Sequence, residues 1–223
     1  MRTRLATTAL MITLFALTMA VTAQAGKHGN GIQGSGDPET RTLELRDFEA
    51  IDVGGAFELK ITRGDAQKVT VTLDDNLWDV FDAEVDGKEV VFGWAENVHP
   101  EVDSEIEIVM PELTRVDIHG AADVEIVDYR GGKFTFGVSG AGELVMDGEA
   151  DELEISVSGA GEIDTRDLKA RKVDISVSGA GNAKVYASES FEGRVSGVGN
   201  ITYFGDPEHR KTKVSGMGNI ESK

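Results

Sequence analysis

Apolar and polar residues alternate along most of the chain after residue 40. In the segment 153–157, for example, leucine, isoleucine and valine alternate with glutamate and serine. Successive side chains of a β-strand point to opposite faces, so a period of two predicts strands with one buried face and one solvated face. The same alternation recurs in the segments 57–61, 69–73, 106–110, 116–118, 134–138 and 173–177.

The tetrapeptide Ser-Gly-Ala-Gly recurs in the second half of the chain. Successive copies, three of them diverged, start 20, 19, 20, 18 and 19 residues apart. A fixed period near 19 predicts stacked repeats, and it is too short for the common helical repeats, which need about 33 residues or more. The copies begin at residues 119, 139, 158, 178, 196 and 215.

Strands joined at a recurring glycine turn predict an all-β fold, namely a right-handed, single-stranded β-helix (β-solenoid) with one coil of about 19 residues per copy. Glycine tolerates positive φ and lets two backbones approach closely, so we assign the repeated glycines to the corners of the coils. The alternative is an antiparallel meander, which needs a second turn type between the glycine turns. The predicted corner residues are Gly120, Gly140, Gly142, Gly159, Gly161, Gly179, Gly181, Gly197, Gly199, Gly216 and Gly218.

The region 41–113 is also rich in alternating segments but lacks the regular repeat. Gly54-Gly55 looks like a diverged corner, and its distance from Gly120 predicts about three enlarged coils in between. We therefore assign 41–223 to one solenoid domain, with 41–113 as irregular opening coils and 114–223 as regular ones. Repeat stacks need atypical caps. Three aromatic residues are candidates for the N-terminal β cap: Trp78, Phe81 and Trp94.

The first 25 residues have the layout of a signal peptide: two arginines, an apolar stretch and Ala23-Gln24-Ala25. We predict cleavage after Ala25, with a retained membrane anchor as the alternative, and no membrane span after cleavage. Residues 26–40 are rich in glycine and polar side chains, so we predict a flexible linker there. The protein is then exported, to the periplasm or to the cell surface and medium.

The composition and charge of the chain exclude several kinds of site and partner. The 223 residues include no cysteine, which excludes disulfides, thiolate metal sites and a lipidated cysteine anchor. The net charge is −18, and removing residues 1–25, with two arginines and no acid, changes it to −20. Because phosphate binding needs a cationic surface, nucleic acid is not expected as a partner. We expect no cofactor and no catalytic residue.

Two polar segments resemble cation sites. His99, Glu101 and Asp103 alternate, so an extended chain would place all three on one side, where a divalent cation could bind. The favoured interpretation is a solvated outer face. The segment 74–79 carries three aspartates and one asparagine that could hold calcium, but a solvated turn is favoured there as well.

The residue after each tetrapeptide is polar in every copy, so stacking would place these side chains in one row. The first three are acidic and would repel one another unless they spread into water or share a cation. The last three are asparagines, whose side chains can bond to one another in stacks. The members of this row are Asp123, Glu143, Glu162, Asn182, Asn200 and Asn219.

These features together resemble the putative auto-transporter adhesin head GIN domain family of exported bacterial proteins. The resemblance covers about residues 43–220, and it implies a β-helical fold and export without assigning any catalytic or binding residue. The segments that carry it are Phe48 to Gly55, Asp74 to Leu77, Met110 to Leu113 and the repeated Ser-Gly-Ala-Gly.

Three functional hypotheses follow. The favoured one is a non-enzymatic, adhesin-like envelope protein that presents a flat solenoid face to a glycan, protein or other cell-surface ligand. The second is a polysaccharide-acting β-helix enzyme with a cationic cleft built from Arg166, Lys169, Arg171 and Lys172. The third is a structural module that assembles end to end as a homo-oligomer, because the C-terminal coil leaves an exposed sheet edge that another subunit would cover.

Overall fold

A computed structural model describes residues 31–223, which form seventeen β-strands and one 3₁₀ turn, Asp75–Leu77. The predicted signal peptide and residues 26–30 of the predicted linker lie outside the described residues. Within 31–223, no helix has the length and apolar character needed to cross a membrane. The strands are β1 Ile32–Gln33, β2 Pro38–Leu43, β3 Ala50–Val53, β4 Ala56–Arg63, β5 Lys68–Asp74, β6 Phe81–Asp86, β7 Glu89–Trp94, β8 Val98–His99, β9 Glu105–Met110, β10 Arg115–Ile118, β11 Ala121–Val138, β12 Ala141–Val157, β13 Ala160–Val177, β14 Ala180–Val195, β15 Val198–Phe204, β16 His209–Val214 and β17 Met217–Ser222.

Parallel coils stack from β10 to β17, which confirms the predicted β-solenoid. Strands β11 to β14 each run from one corner to the next and pair in parallel with the strands above and below. Leu153 pairs with Phe134 and Val173, and Val173 pairs with Phe191, so these buried side chains form one continuous column. Alternate apolar side chains fill the centre because one coil cannot bury its own face.

Each coil has two faces that meet at the glycine corner. We call the segments that enter the corners face A and the segments that leave them face B. Face A consists of residues 50–53, 115–118, 134–138, 153–157, 173–177, 191–195 and 209–214, and β7 and then β6 continue it beneath residues 50–53. Face B consists of residues 56–63, 121–127, 141–146, 160–165, 180–186, 198–204 and 217–222, and β9, β5 and then β2 continue it beneath residues 56–63.

The corners are built from a repeated backbone pattern. The N–H groups of Ser158 and Gly159 both donate to the carbonyl of Val138, at 2.8 and 3.2 Å. A Cβ added to Gly159 would overlap the carbonyl oxygen of Gly140. The corner glycines do not lie in the left-handed region of φ. Close approach of stacked backbones, rather than positive φ, therefore requires glycine at the second position of the tetrapeptides, namely Gly120, Gly140, Gly159, Gly179, Gly197 and Gly216.

The opening region is arranged differently from the prediction of three enlarged coils. Val53 pairs with Ile118, and Ala56 pairs with Ala121, so the Gly54-Gly55 corner lies one layer below Gly120. The chain between them leaves the stack, forms β5 to β9 and then returns. Strands β7 and β9 add a layer beneath β3 and β4, and β6, β5 and β2 follow at this end as antiparallel strands.

The second half of the predicted linker is part of the folded body. Strand β1 pairs with β8, and β2 pairs with β5. The buried Asp74 carboxylate accepts N–H groups from Gly36, Glu101 and Val102, at 2.6, 3.0 and 3.2 Å. Residues 31–40 contribute few apolar side chains, and these polar contacts hold them in place instead. The prediction of a flexible segment is wrong for this part of the chain.

Candidate binding groove

An open cavity lies at the turns opposite the glycine corners, and we call it the turn-side groove. It has a volume of about 840 Å³. The β6–β7 turn forms one wall, the segment before β10 forms a second, and the turn within β11 forms the third. The polar and aromatic residues that line it are Asp86, Lys88, Glu89, Glu112, Thr114, Arg115, Tyr129, Arg130, Lys133 and Thr135.

The backbone of the turn within β11 departs from regular strand geometry. Asp128 has a φ of 52°, and the pairing register with β12 shifts between Ile126 and Tyr129. A Cβ on Gly131 would overlap the Tyr129 hydroxyl, whereas one on Gly132 would have no atom within 4 Å. Gly131 is therefore required for packing, while Gly132 leaves open space in the groove.

All four cations of the groove are held by carboxylates. Lys88 lies 2.9 Å from Glu49, Arg130 lies 3.1 Å from Asp128, and Lys133 lies 2.6 Å from Glu154. Arg115 binds both Glu89 and Asp117. The hydrogen bond that Lys133 donates to Glu154 raises the pKa of Lys133, and the one that Lys88 donates to Glu49 raises the pKa of Lys88. Asp86 and Glu112 also line the groove and form no ion pair within residues 31–223, so the groove presents many donors and acceptors but no uncompensated positive charge.

Tyr129 forms the apolar base of the same groove. Its side chain is 5% exposed, and its ring packs against Phe134 with centroids 5.3 Å apart. Burial, with a smaller contribution from the Glu112 charge, raises the pKa of Tyr129 to about 12. The hydroxyl lies 3.5 Å from the Lys133 carbonyl oxygen, a long contact for a hydrogen bond, and it remains a protonated donor at neutral pH.

A second groove of about 440 Å³ continues along the turns and shares Arg130 and Gly131 with the first. The Lys169 ammonium lies 4.3 Å from the centroid of the Tyr186 ring. Arg171 contacts Asp151 and Glu189 at 3.1 and 2.8 Å. Arg166, from the same predicted basic cluster, binds Asp164 at 2.7 Å. These arginines therefore do not form the open cationic cleft that an enzyme acting on acidic polysaccharides would need.

The polar row on face B is longer than the sequence suggested. Pairing places Glu105 beside Glu58 and Glu58 beside Asp123, so two further acids precede the predicted row. Burial, followed by the charges of Asp103, Glu105 and Asp123, raises the pKa of Glu58. At the other end of the row, the Asn200 side chain donates to the Asn182 side-chain oxygen at 3.2 Å.

The candidate metal ligands His99, Glu101 and Asp103, for which a solvated face was the favoured interpretation, are not brought together as a site. Glu101 accepts a hydrogen bond from Gln33, and His99 lies on β8 beside β1. Asp103 lies on the loop that approaches Glu58. The Asp74 carboxylate accepts hydrogen bonds from backbone N–H groups. These groups are hydrogen-bond donors and cannot serve as ligands for a cation. Within residues 31–223, no group of three or more His, Asp and Glu side chains is placed to hold a metal ion.

Sequence reasoning missed the turn-side groove. Its walls come from three segments that are far apart in the sequence, and the return of the chain to β10 brings them together. One local signal was present: Asp128 and Gly131-Gly132 interrupt the apolar–polar alternation between two regular segments.

Two solved structures share this fold. The first is a putative adhesin from Bacteroides fragilis, with 21% identity, a TM-score of 0.71, and coverage of 86% of this chain and 100% of that one. The second is a putative lipid binding protein from Parabacteroides distasonis, with 22% identity, a TM-score of 0.52, and coverage of 86% and 99%. At these identities the likeness establishes the fold alone. No curated protein is significantly similar in sequence to this chain.

The match to a protein family assigns this chain to a family, which the shared fold alone cannot do. The family is described as "Putative auto-transporter adhesin, head GIN domain", and it matches residues 47–207. The match includes β4 to β15 and every wall of the turn-side groove. It confirms the resemblance found in the repeated corners, and this chain belongs to the auto-transporter adhesin head GIN domain family.

Proposed function

We propose that this protein is an exported, non-enzymatic adhesin-like module that binds an uncharged cell-surface glycan in the turn-side groove. The observation that carries the proposal is the pairing of every groove cation with a carboxylate. Paired cations and carboxylates offer donors and acceptors without an uncompensated positive charge, which suits hydroxyl groups better than carboxylates or phosphates. The family assignment supports a surface-binding role.

Blocking the groove tests this proposal. Gly132→Trp should reduce glycan binding at least about tenfold, because the indole would occupy open groove space while the fold has room for it. Gly93→Trp is the matched control, since a Cβ at Gly93 also has no atom within 4 Å and Gly93 does not line the groove. Binding of the purified chain and both variants would be measured on a glycan array and then by calorimetry.

Several results would contradict the proposal. Equal binding by Gly132→Trp and the wild type would place the ligand elsewhere. Retention of matrix proteins with no glycan bound would replace the glycan with a protein ligand. Preferential binding or cleavage of uronate polymers would favour the enzyme hypothesis.

Export has a separate test. If residues 1–25 are a signal peptide, the protein recovered from the envelope or medium should begin at Gly26, as determined by N-terminal sequencing and intact mass. A full-length chain that fractionates with membranes would instead support the retained anchor.

A further inference from the structure

Both ends of face A are open sheet edges in the described part of the chain. Within residues 31–223, β6 pairs only with β7 at one end, and β16 pairs only with β14 at the other. Each of these edge strands is six residues long. An unpaired strand presents a row of free N–H and C=O groups and can accept a further strand.

The two edges carry opposite charges. The outward-facing positions of β6 are acidic, whereas those of β16 are basic and include two lysines. Like edges would therefore repel each other, and unlike edges would attract. The acidic positions are Asp82, Glu84 and Asp86, and the basic positions are His209, Lys211 and Lys213.

One strand register places each of these acidic side chains opposite a basic one. Strand β6 runs antiparallel to β7, which is parallel to the other strands of face A, so a second copy stacked along the axis would bring β6 antiparallel to β16. Placing Phe81 opposite Val214 then sets Asp82 against Lys213 and Glu84 against Lys211. Asp86 falls opposite His209 in the same register. Val214 is 44% exposed, and this contact would cover it.

We propose that a second copy of this chain binds here, with its β6 added to β16, so that copies join head to tail. The interface is heterologous, so it allows chains of more than two copies. On face B, β2 lies one strand further out than β6 does on face A. The copies therefore meet at a tilt, and the contact is confined to one face. A contact between two six-residue strands is small, so we expect an association that is transient and sensitive to salt.

A charge exchange tests the pairing. One variant carries Asp82→Lys and Glu84→Lys, and the other carries Lys211→Glu and Lys213→Glu. Each variant alone should self-associate at least about tenfold more weakly than the wild type, because attraction at the junction becomes repulsion. An equimolar mixture should recover association, because each mutant edge then meets its complement. Sedimentation velocity over a range of protein and salt concentrations measures both effects.

A variant with Asp123→Lys and Glu143→Lys changes the charge equally on face B and should associate like the wild type. Lys211 also binds Glu192 at 2.6 Å, so circular dichroism and hydrogen exchange would check that β16 of its variant stays folded. If β16 of that variant unfolds, the variant with Asp82→Lys and Glu84→Lys still tests by itself whether β6 takes part in association. A monomeric wild type at every concentration, unchanged association in the β6 variant, or no recovery on mixing folded variants would overturn the proposal.

Discussion

Gly159→Ala should destabilise the protein by about 3 kcal/mol or more. The added methyl group would overlap the carbonyl oxygen of Gly140 and would lie 2.7 Å from the carbonyl carbon of Ser139. That oxygen also accepts the N–H of Ala160 at 2.9 Å, so neither backbone can move without breaking a bond between coils. The substitution would separate two layers in the middle of the stack.

Gly161→Ala is the matched control within the same tetrapeptide. A Cβ there would meet a Val157 methyl at 3.1 Å and the Gly142 oxygen at 3.7 Å, contacts that a small side-chain adjustment can relieve. In the register of the coils, Ala122 already stands at this position two layers below. We expect a loss within about 1 kcal/mol. Urea unfolding followed by circular dichroism measures both, and equal losses would show that the corners do not depend on close backbone approach.

Asp74→Asn should also cost about 3 kcal/mol or more, because it disrupts the polar contacts that hold residues 31–40 to the body. Both carboxylate oxygens accept backbone N–H groups: one from Gly36, the other from Glu101 and Val102. An asparagine must turn its NH₂ group toward one of these donors, whichever way it is oriented. The loss should appear in urea unfolding and as faster hydrogen exchange in β1, β2 and the 99–103 loop.

The same carboxylate makes stability depend on pH. Burial alone raises the pKa of Asp74, but hydrogen bonds from the N–H groups of Gly36, Val102 and Glu101 together lower it below its ordinary value. Its stabilisation is therefore present above the unfolded-state pKa, about 3.9, and is lost as pH falls from there through the folded-state pKa. The stability difference between the wild type and Asp74→Asn should shrink over that range.

Asp75→Asn controls for the loss of a charge in this turn. Asp75 is exposed and accepts the Ser35 hydroxyl at 2.6 Å, which an amide oxygen can also do, so we expect a change within about 0.5 kcal/mol. Wild-type stability in Asp74→Asn, or a difference from the wild type that stays constant down to pH 2, would mean that the buried carboxylate does not anchor this segment.

The regular coils were predictable because each one is encoded locally. An alternation of apolar and polar residues defines a strand without knowledge of its partner, and a glycine recurring every 19 or so residues requires a repeated close contact. Leu153, Val173 and Phe191 lie in one column, as stacking at this period requires. The family resemblance rested on the same residues.

The opening region could not be derived in this way. Nothing near Gly54-Gly55 indicates that the partner of β3 is β10, because the pairing depends on where the chain returns after the intervening strands. Likewise, Asp74 in the sequence looks like part of a solvated turn, and it becomes an anchor only when Gly36 and the loop at Glu101 reach it.

By itself, the sequence determined the strands, the coil period and the buried column, since these follow from periodicity along the chain. The tertiary structure alone decided the order of the layers at the N-terminal end, the turn-side groove and the charge difference between β6 and β16. Each of these depends on contacts between residues that are distant in the sequence, and such pairings are chosen by the free energy of the whole fold.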